Sequence, residues 1–133
     1  MTDADLVLTS YDAYARGDIE EAVAPLDPDV DWVEPETFPN GGQHRGRDAV
    51  ASYLRQSRER WAELTVEPVA HQRGQEVIVV VRHHGTLLDG SRADVTVADV
   101  FTLNDGRVVR MRAFADPAEA FDAFPDDADH RQS

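Results

Sequence analysis

Two carboxylates, Glu34 and Asp99, stand among large apolar residues in patterns typical of β-strands. Trp32 and Glu34 have the same parity, so they point to one face of a strand that ends at Pro35. In the run 95–103, Asp99 is the sole polar residue on an otherwise apolar face. A buried carboxylate must be paired, or neutral and hydrogen-bonded, because an isolated buried charge is costly. Carboxyl groups held in this way are candidates for acid/base chemistry.

Each carboxylate also has a purely structural interpretation. Asp99 could bond an arginine or a tryptophan inside the core, and Glu34 could be a solvated charge at a strand end, since a polar loop follows it. The residues alone leave both alternatives open.

The charge and composition exclude several classes of function. The 133-residue chain has 26 acidic and 13 basic residues, a formal net charge of -13, which argues against nucleic acid as a partner. No apolar stretch is long enough for a membrane span, and no basic region precedes the first apolar residues, so we expect neither a membrane nor a secretory signal. Without cysteine there is no disulfide or thiolate chemistry, and a cytoplasmic location is the default.

Every basic residue other than histidine is arginine, since the chain contains no lysine. This bias is compatible with GC-rich coding, and the acidic, lysine-free surface is equally compatible with a high-salt cytoplasm.

The pattern of turn residues and apolar spacing predicts an α+β domain. A stripe of Leu6, Ser10, Ala13 and Tyr14 predicts a first helix that ends at Gly17. We expect a short second helix from Asp18, a loop over 35–49, a third helix over 48–63 and a C-terminal helix over 117–124. The predicted strands are 30–34, 64–73, 76–88, 92–103 and 107–115, the last four as an antiparallel meander. Residues 1–125 form one domain, and 126–133 form a polar acidic tail that we expect to be disordered.

Three segments of the chain resemble the NTF2-like superfamily, specifically its SnoaL-like and ketosteroid-isomerase-like branch. They are YARGDIEEAVAPLDPDVDWVEP, RGRDAVASYL and ADVFTLNDGRVVRMRAFAD, and the likeness covers residues 3–122. The resemblance implies a cone: three N-terminal helices packed on a strongly curved, mostly antiparallel sheet, a short C-terminal helix, and a pocket at the open end. It also implies a homodimer formed through the outer sheet face.

The resemblance gives the two carboxylates roles. In ketosteroid isomerases an acidic base follows the first strand and precedes a proline, which Glu34-Pro35 matches, and a second acid lies two residues before a Phe, which Asp99 matches. Glu34 would be the proton shuttle and Asp99 the protonated hydrogen-bond donor to an oxyanion. The tyrosine that those enzymes carry on the first helix is replaced here by Ser10, and either Tyr14 or Tyr53 could compensate.

An apolar pocket wall and a pocket histidine complete the predicted site. The aromatic and sulfur-containing candidates for the wall are Trp32, Phe38, Trp61, Phe101, Met111 and Phe114. His44 lies in the loop over the expected pocket mouth, where it could reach Glu34 or a ligand, or else remain on the surface. Of the adjacent pair His83 and His84, which face opposite sides of a strand, parity does not say which lines the pocket.

Three functions fit these residues. The first is an enzyme that transfers protons on an apolar carbonyl compound, as an isomerase, cyclase or dehydratase. The second is a noncatalytic domain that binds a small apolar ligand, and the third is a dimerisation module. No cofactor or metal is expected, because the chain has no glycine-rich nucleotide loop, no thiol and no His-x-His or His-x-x-x-His spacing.

Overall fold

The computed structural model describes residues 1–125, which form four helices and six strands. The predicted tail, 126–133, lies outside the described residues. The elements in chain order are α1 (Asp3–Ala15), α2 (Ile19–Val23), β1 (Leu26–Glu34), β2 (Gly42–Arg45), α3 (Arg47–Glu59), β3 (Trp61–Arg73), β4 (Glu76–Leu87), β5 (Arg92–Asn104), β6 (Arg107–Phe114) and α4 (Pro117–Ala123).

The strands form one sheet in the order β2-β1-β6-β5-β4-β3. The β3 to β6 segment is the predicted antiparallel meander, and β1 joins it by pairing parallel to β6. The β5–β6 hairpin turns on two residues, Asp105 and Gly106, with φ of 52° and 75°. Two consecutive positive φ values are the signature of the type I′ turn, which suits the right-handed twist of paired strands.

The sheet is curved, with α1 and α3 packed against its concave face and α4 against the other, while α2 packs against α1 and α3. Odd-numbered residues of β4 and β5, such as Val77, Val79 and Phe101, join the helices in the main core. Even-numbered Ile78 and Val100 instead contact α4 in a second cluster. The α+β cone expected from the sequence is therefore the observed fold.

Three elements differ from the prediction. β1 begins at Leu26 rather than near residue 30, because residues 27–29 continue the strand, with an irregular register between Leu26 and Asp31 around Pro28. The expected loop contains the short edge strand β2, whose polar residues show no strand pattern. α3 ends at Glu59 rather than residue 63, so Trp61 opens β3 instead of closing the helix.

The buried face of α1 also differs from the predicted stripe. Val7, Tyr11, Ala13 and Tyr14 are buried, whereas Ser10 only borders the cavity described below. Val7, Tyr11 and Tyr14 follow i, i+4 and i+7 spacing, whereas the predicted stripe started one residue earlier, at Leu6. The shift turns Tyr11 toward the sheet.

Candidate active site

A cavity of about 820 Å³ lies between the helices and the concave face of the sheet. Its lining is mostly apolar, with polar groups concentrated at a few points. A concave apolar site with a small number of convergent polar groups is typical of small-molecule binding.

Glu34 is the last residue of β1. Its side chain is 8% exposed, and its carboxylate accepts a hydrogen bond of 2.7 Å from the indole nitrogen of Trp32. The two side chains meet because residues two apart on a strand face the same way. The candidate of the sequence analysis is thus a carboxyl group inside the cavity rather than a solvated strand end.

Asp99 projects from β5 into the same cavity and is hydrogen-bonded to α1. The hydroxyl of Tyr11 donates to its Oδ2 atom at 2.5 Å. The Tyr11 ring packs edge-on against Phe101, with ring centroids 5.9 Å apart, and Phe101 makes a similar contact with Trp32 at 6.0 Å. These aromatic contacts fix the phenol over the carboxyl group.

Burial raises the pKa of both carboxyl groups above ordinary values. The charge of Asp99 raises the pKa of Glu34 further, while hydrogen bonds from Trp32 and Tyr53 lower it by less. The bond from Tyr11 likewise opposes the effect of burial on Asp99. The Tyr11 hydroxyl has a pKa raised well above its usual value by burial and by Asp99, so it remains a donor at neutral pH.

Two further tyrosines border the cavity from the helices. Burial and the nearby Glu34 charge raise the pKa of Tyr53, which therefore stays protonated beside that carboxylate. The Tyr14 hydroxyl lies 2.6 Å from Ser57 Oγ. His83, rather than His84, lines the cavity, and its ring packs edge-on to Tyr14.

Most of the residues proposed from the sequence lie together. Besides the two carboxylates, the cavity lining includes Ser10, Tyr14, Trp32, Phe38, Tyr53, Trp61 and Phe101.

The structure places the other three candidates outside the cavity. His44 lies on β2 behind Tyr53, with ring centroids 4.6 Å apart, and its Nε2 contacts the carbonyl of Asn40. Met111 is fully buried in the main core. Phe114 faces the opposite side of the sheet, where it contacts α4. Met111 and Phe114 are three residues apart on one strand, so they point to opposite faces.

Tyr11 is the site residue that the sequence reasoning missed. The signal was present, because Val7, Tyr11 and Tyr14 have the spacing of one helix face. The resemblance to ketosteroid isomerases places a tyrosine at the position of Ser10, and here Tyr11, the next residue, supplies the hydroxyl. Among the described residues, no group of three His, Asp or Glu side chains is placed to hold a metal ion, and no described helix is long and apolar enough to cross a membrane.

Comparison with known proteins gives the chain its family. An uncharacterised protein of Mycobacterium tuberculosis is 32% identical over 120 residues, which cover 87% of this chain and 91% of that protein. A solved NTF2-like protein of unknown function from Burkholderia pseudomallei is 27% identical with a TM-score of 0.76, covering 94% of this chain and 99% of the other. TerC, co-crystallised with polyporic acid, is 26% identical with a TM-score of 0.75, covering 92% and 96%. The model of the SnoaL-like domain matches residues 7–111, and the chain therefore belongs to the SnoaL-like family of NTF2-like proteins.

Proposed function

We propose that this protein is an enzyme that moves protons on an apolar carbonyl compound, as an isomerase, cyclase or dehydratase does. The observation that carries the proposal is the short hydrogen bond from Tyr11 to Asp99 in an apolar cavity that also contains Glu34. Removal of a proton beside a carbonyl needs a base and a donor to the developing oxyanion. This cavity offers both kinds of group.

The two carboxyl groups share one proton around neutral pH, since burial raises the pKa of each and the charge of Asp99 acts on Glu34. Burial raises the pKa of Asp99 to about 6, and burial with the charge of Asp99 raises that of Glu34 to about 8, so in the free protein Asp99 is the ionised partner and accepts the Tyr11 hydrogen bond. A carbonyl oxygen that takes over the Tyr11 hydrogen bond favours the state in which Asp99 holds the shared proton. Glu34 is then ionised and acts as the base, while Tyr11 and Asp99 donate to the oxyanion.

The apolar lining supports this chemistry in a second way. Trp32 and Phe101 exclude water from the carboxyl pair, so hydrogen bonds to a developing charge are stronger than they would be in water. TerC, which has the same fold, was co-crystallised with polyporic acid, and this supports a small-molecule ligand for the cavity here.

The test is proton exchange at the carbon beside the carbonyl of α-tetralone in D₂O, followed by NMR. We expect the protein to accelerate exchange, and Glu34→Gln, Asp99→Asn and Tyr11→Phe each to reduce the rate by about 10²-fold or more. Glu36→Gln is the matched control, because Glu36 is exposed two residues from Glu34. Unchanged exchange in both carboxyl variants would refute the proposal.

The same experiment separates the enzyme from a noncatalytic binding domain. A ketone that binds in the cavity, as seen by chemical-shift changes of Trp32, and shows no accelerated exchange would favour the binding domain.

We also propose that the protein forms a homodimer through the convex face of the sheet. An apolar row crosses this face at Val69, Val80, Ala98 and Phe114, and Val69 is 57% exposed at its open end. Light scattering coupled to size exclusion measures the mass. Val69→Glu should shift it toward the monomer.

A further inference from the structure

A second group of polar side chains lines the same cavity as the carboxyl pair. It consists of Tyr14, Ser57, Arg60 and His83, all of which line the cavity. The hydroxyls of Tyr14 and Ser57 are 2.6 Å apart, and the rings of Tyr14 and His83 meet edge-on with centroids 6.2 Å apart. The proton-transfer chemistry proposed above uses none of these groups.

Arg60 brings a positive charge to this cluster. It is the residue that follows α3, and its carbonyl accepts a hydrogen bond of 3.0 Å from the backbone of Leu88, which fixes its place at the cavity rim. Within residues 1–125, its guanidinium forms no ion pair and no side-chain hydrogen bond. Burial and the charge of Glu34 raise the pKa of Tyr14, and the hydrogen bond with Ser57 and the charges of Arg58 and Arg60 oppose that rise.

His83 adds an uncharged donor. Burial lowers the pKa of His83 to about 4, so at neutral pH its ring has one N–H donor and one acceptor nitrogen. In the described part of the chain neither ring nitrogen has a hydrogen-bond partner. His83 therefore offers a donor to whatever occupies the cavity.

Charged side chains of both signs line the cavity. The carboxyl pair repels an anionic group, whereas Arg60 is the sole arginine or lysine among the described lining residues. Asp89 also borders the rim, but its carboxylate is fully exposed and is held by the backbone and hydroxyl of Ser91. An anionic group of a ligand would thus be favoured beside Arg60.

We infer that the cavity binds amphipathic carbonyl compounds that carry an oxyanion group, a carboxylate or sulfonate, and that Arg60, Tyr14, Ser57 and His83 form the subsite for that group. Arg60 supplies charge-assisted hydrogen bonds, and the hydroxyls and the His83 N–H donate to the remaining oxygen atoms. The inference that the ligand contains a carbonyl group depends on the proposed proton-transfer function. The inference that these four residues bind an anionic group does not depend on it.

Two fluorescent probes that share one skeleton test the subsite. Anilinonaphthalene sulfonate carries a sulfonate, and N-phenylnaphthylamine lacks it. We expect the wild-type protein to bind the sulfonate more tightly than the neutral probe. Arg60→Ala should weaken sulfonate binding about tenfold, the loss expected for one charge-assisted hydrogen bond, and change the neutral probe less than twofold. Arg60→Lys should retain most of the sulfonate affinity, while Tyr14→Phe and His83→Phe should each weaken it severalfold.

Arg55→Ala is the matched control, because Arg55 is an exposed arginine of α3 that does not line the cavity. It removes the same charge from a position five residues before Arg60 and should change sulfonate binding less than twofold. Equal losses in the Arg55 and Arg60 variants, equal losses for both probes, or no binding of the sulfonate to the wild type would each overturn the inference. Probe fluorescence reports on the anion subsite alone, and proton exchange of α-tetralone, which has no anionic group, reports on the proposed chemistry alone, so failure of the subsite and failure of the proposed function are distinguishable.

Discussion

The buried carboxyl group of Glu34 should make the protein less stable as the pH rises above neutrality. Burial, and next the charge of Asp99, raise its pKa from 4.5 to about 8. Between those values the folded protein binds a proton that the unfolded chain has lost. The stabilisation from this group is therefore complete below pH 4.5 and is lost as the pH rises through about 8.

The size of the effect follows from proton linkage. With a folded-state pKa of about 8, the free energy of unfolding should fall by about 2 kcal/mol between about pH 6.5 and about pH 9. For a chain of this length the same change corresponds to roughly 6–10 °C in the melting temperature. Burial lowers the pKa of His83 from 6.5 to about 4, so this group destabilises the fold as the pH falls and opposes the loss across this window by only about 0.4 kcal/mol.

Glu34→Gln should abolish this dependence. The amide oxygen can still accept the Trp32 hydrogen bond, but the side chain no longer acquires a charge. Urea unfolding at four pH values across the window, for the wild type and the variant, gives the difference in slope directly. Glu36→Gln, at an exposed position, should have the same pH dependence of the free energy of unfolding as the wild type.

Parallel profiles for the wild type and Glu34→Gln would refute the reasoning. They would mean that Glu34 is ionised in the folded protein at neutral pH without cost, and that its burial among aromatic rings does not control its proton.

Two further predictions concern the neighbours of the site. Trp32→Phe removes the indole donor that lowers the pKa of Glu34, so the midpoint of the pH-dependent loss of stability should move to higher pH, and a fixed midpoint in urea titrations would contradict this. Gly85→Ala should destabilise the protein by about 2–4 kcal/mol in urea unfolding, because a Cβ atom there would lie 2.1 Å from the carbonyl oxygen of Glu63 at a φ of 155°. At Gly74 an added Cβ atom would meet no neighbour, so Gly74→Ala should lower the free energy of unfolding by only about 1 kcal/mol. An equal loss of unfolding free energy in both variants would be inconsistent with the clash at Gly85.

The strands of the meander and the carboxyl pair were predictable from the sequence because a strand has only two faces. Asp99 among alternating apolar residues had one possible direction once the strand was assigned. The glycine turns fixed where strands ended, as at Asp105-Gly106. The polar edge strand β2 was not predictable, since it is held by backbone bonds to β1 and its side chains carry no apolar pattern.

Tyr11 and the position of His44 were not predicted, because they depend on the rotation of α1 about its axis and on packing between distant parts of the chain. A helix turns by about 100° per residue, so a stripe that begins at Leu6 and one that begins at Val7 are nearly equivalent in the sequence of α1. Only the packing of α1 on the sheet decides that Tyr11 faces Asp99. His44 pairs with Trp32 between β2 and β1, but its ring packs on Tyr53 and it does not line the cavity.

Adjacent residues of β4 face opposite sides of the sheet. His83 faces the cavity, while Arg82 and His84 on either side of it contact acidic side chains on the opposite surface, as in the 2.7 Å contact of Arg82 with Asp94. A substitution at an even position would change the face of the proposed dimer and leave the cavity as it is, and one at an odd position would do the reverse. The proposed dimer face and the proposed ligand cavity can thus change independently of each other by substitutions along a single strand.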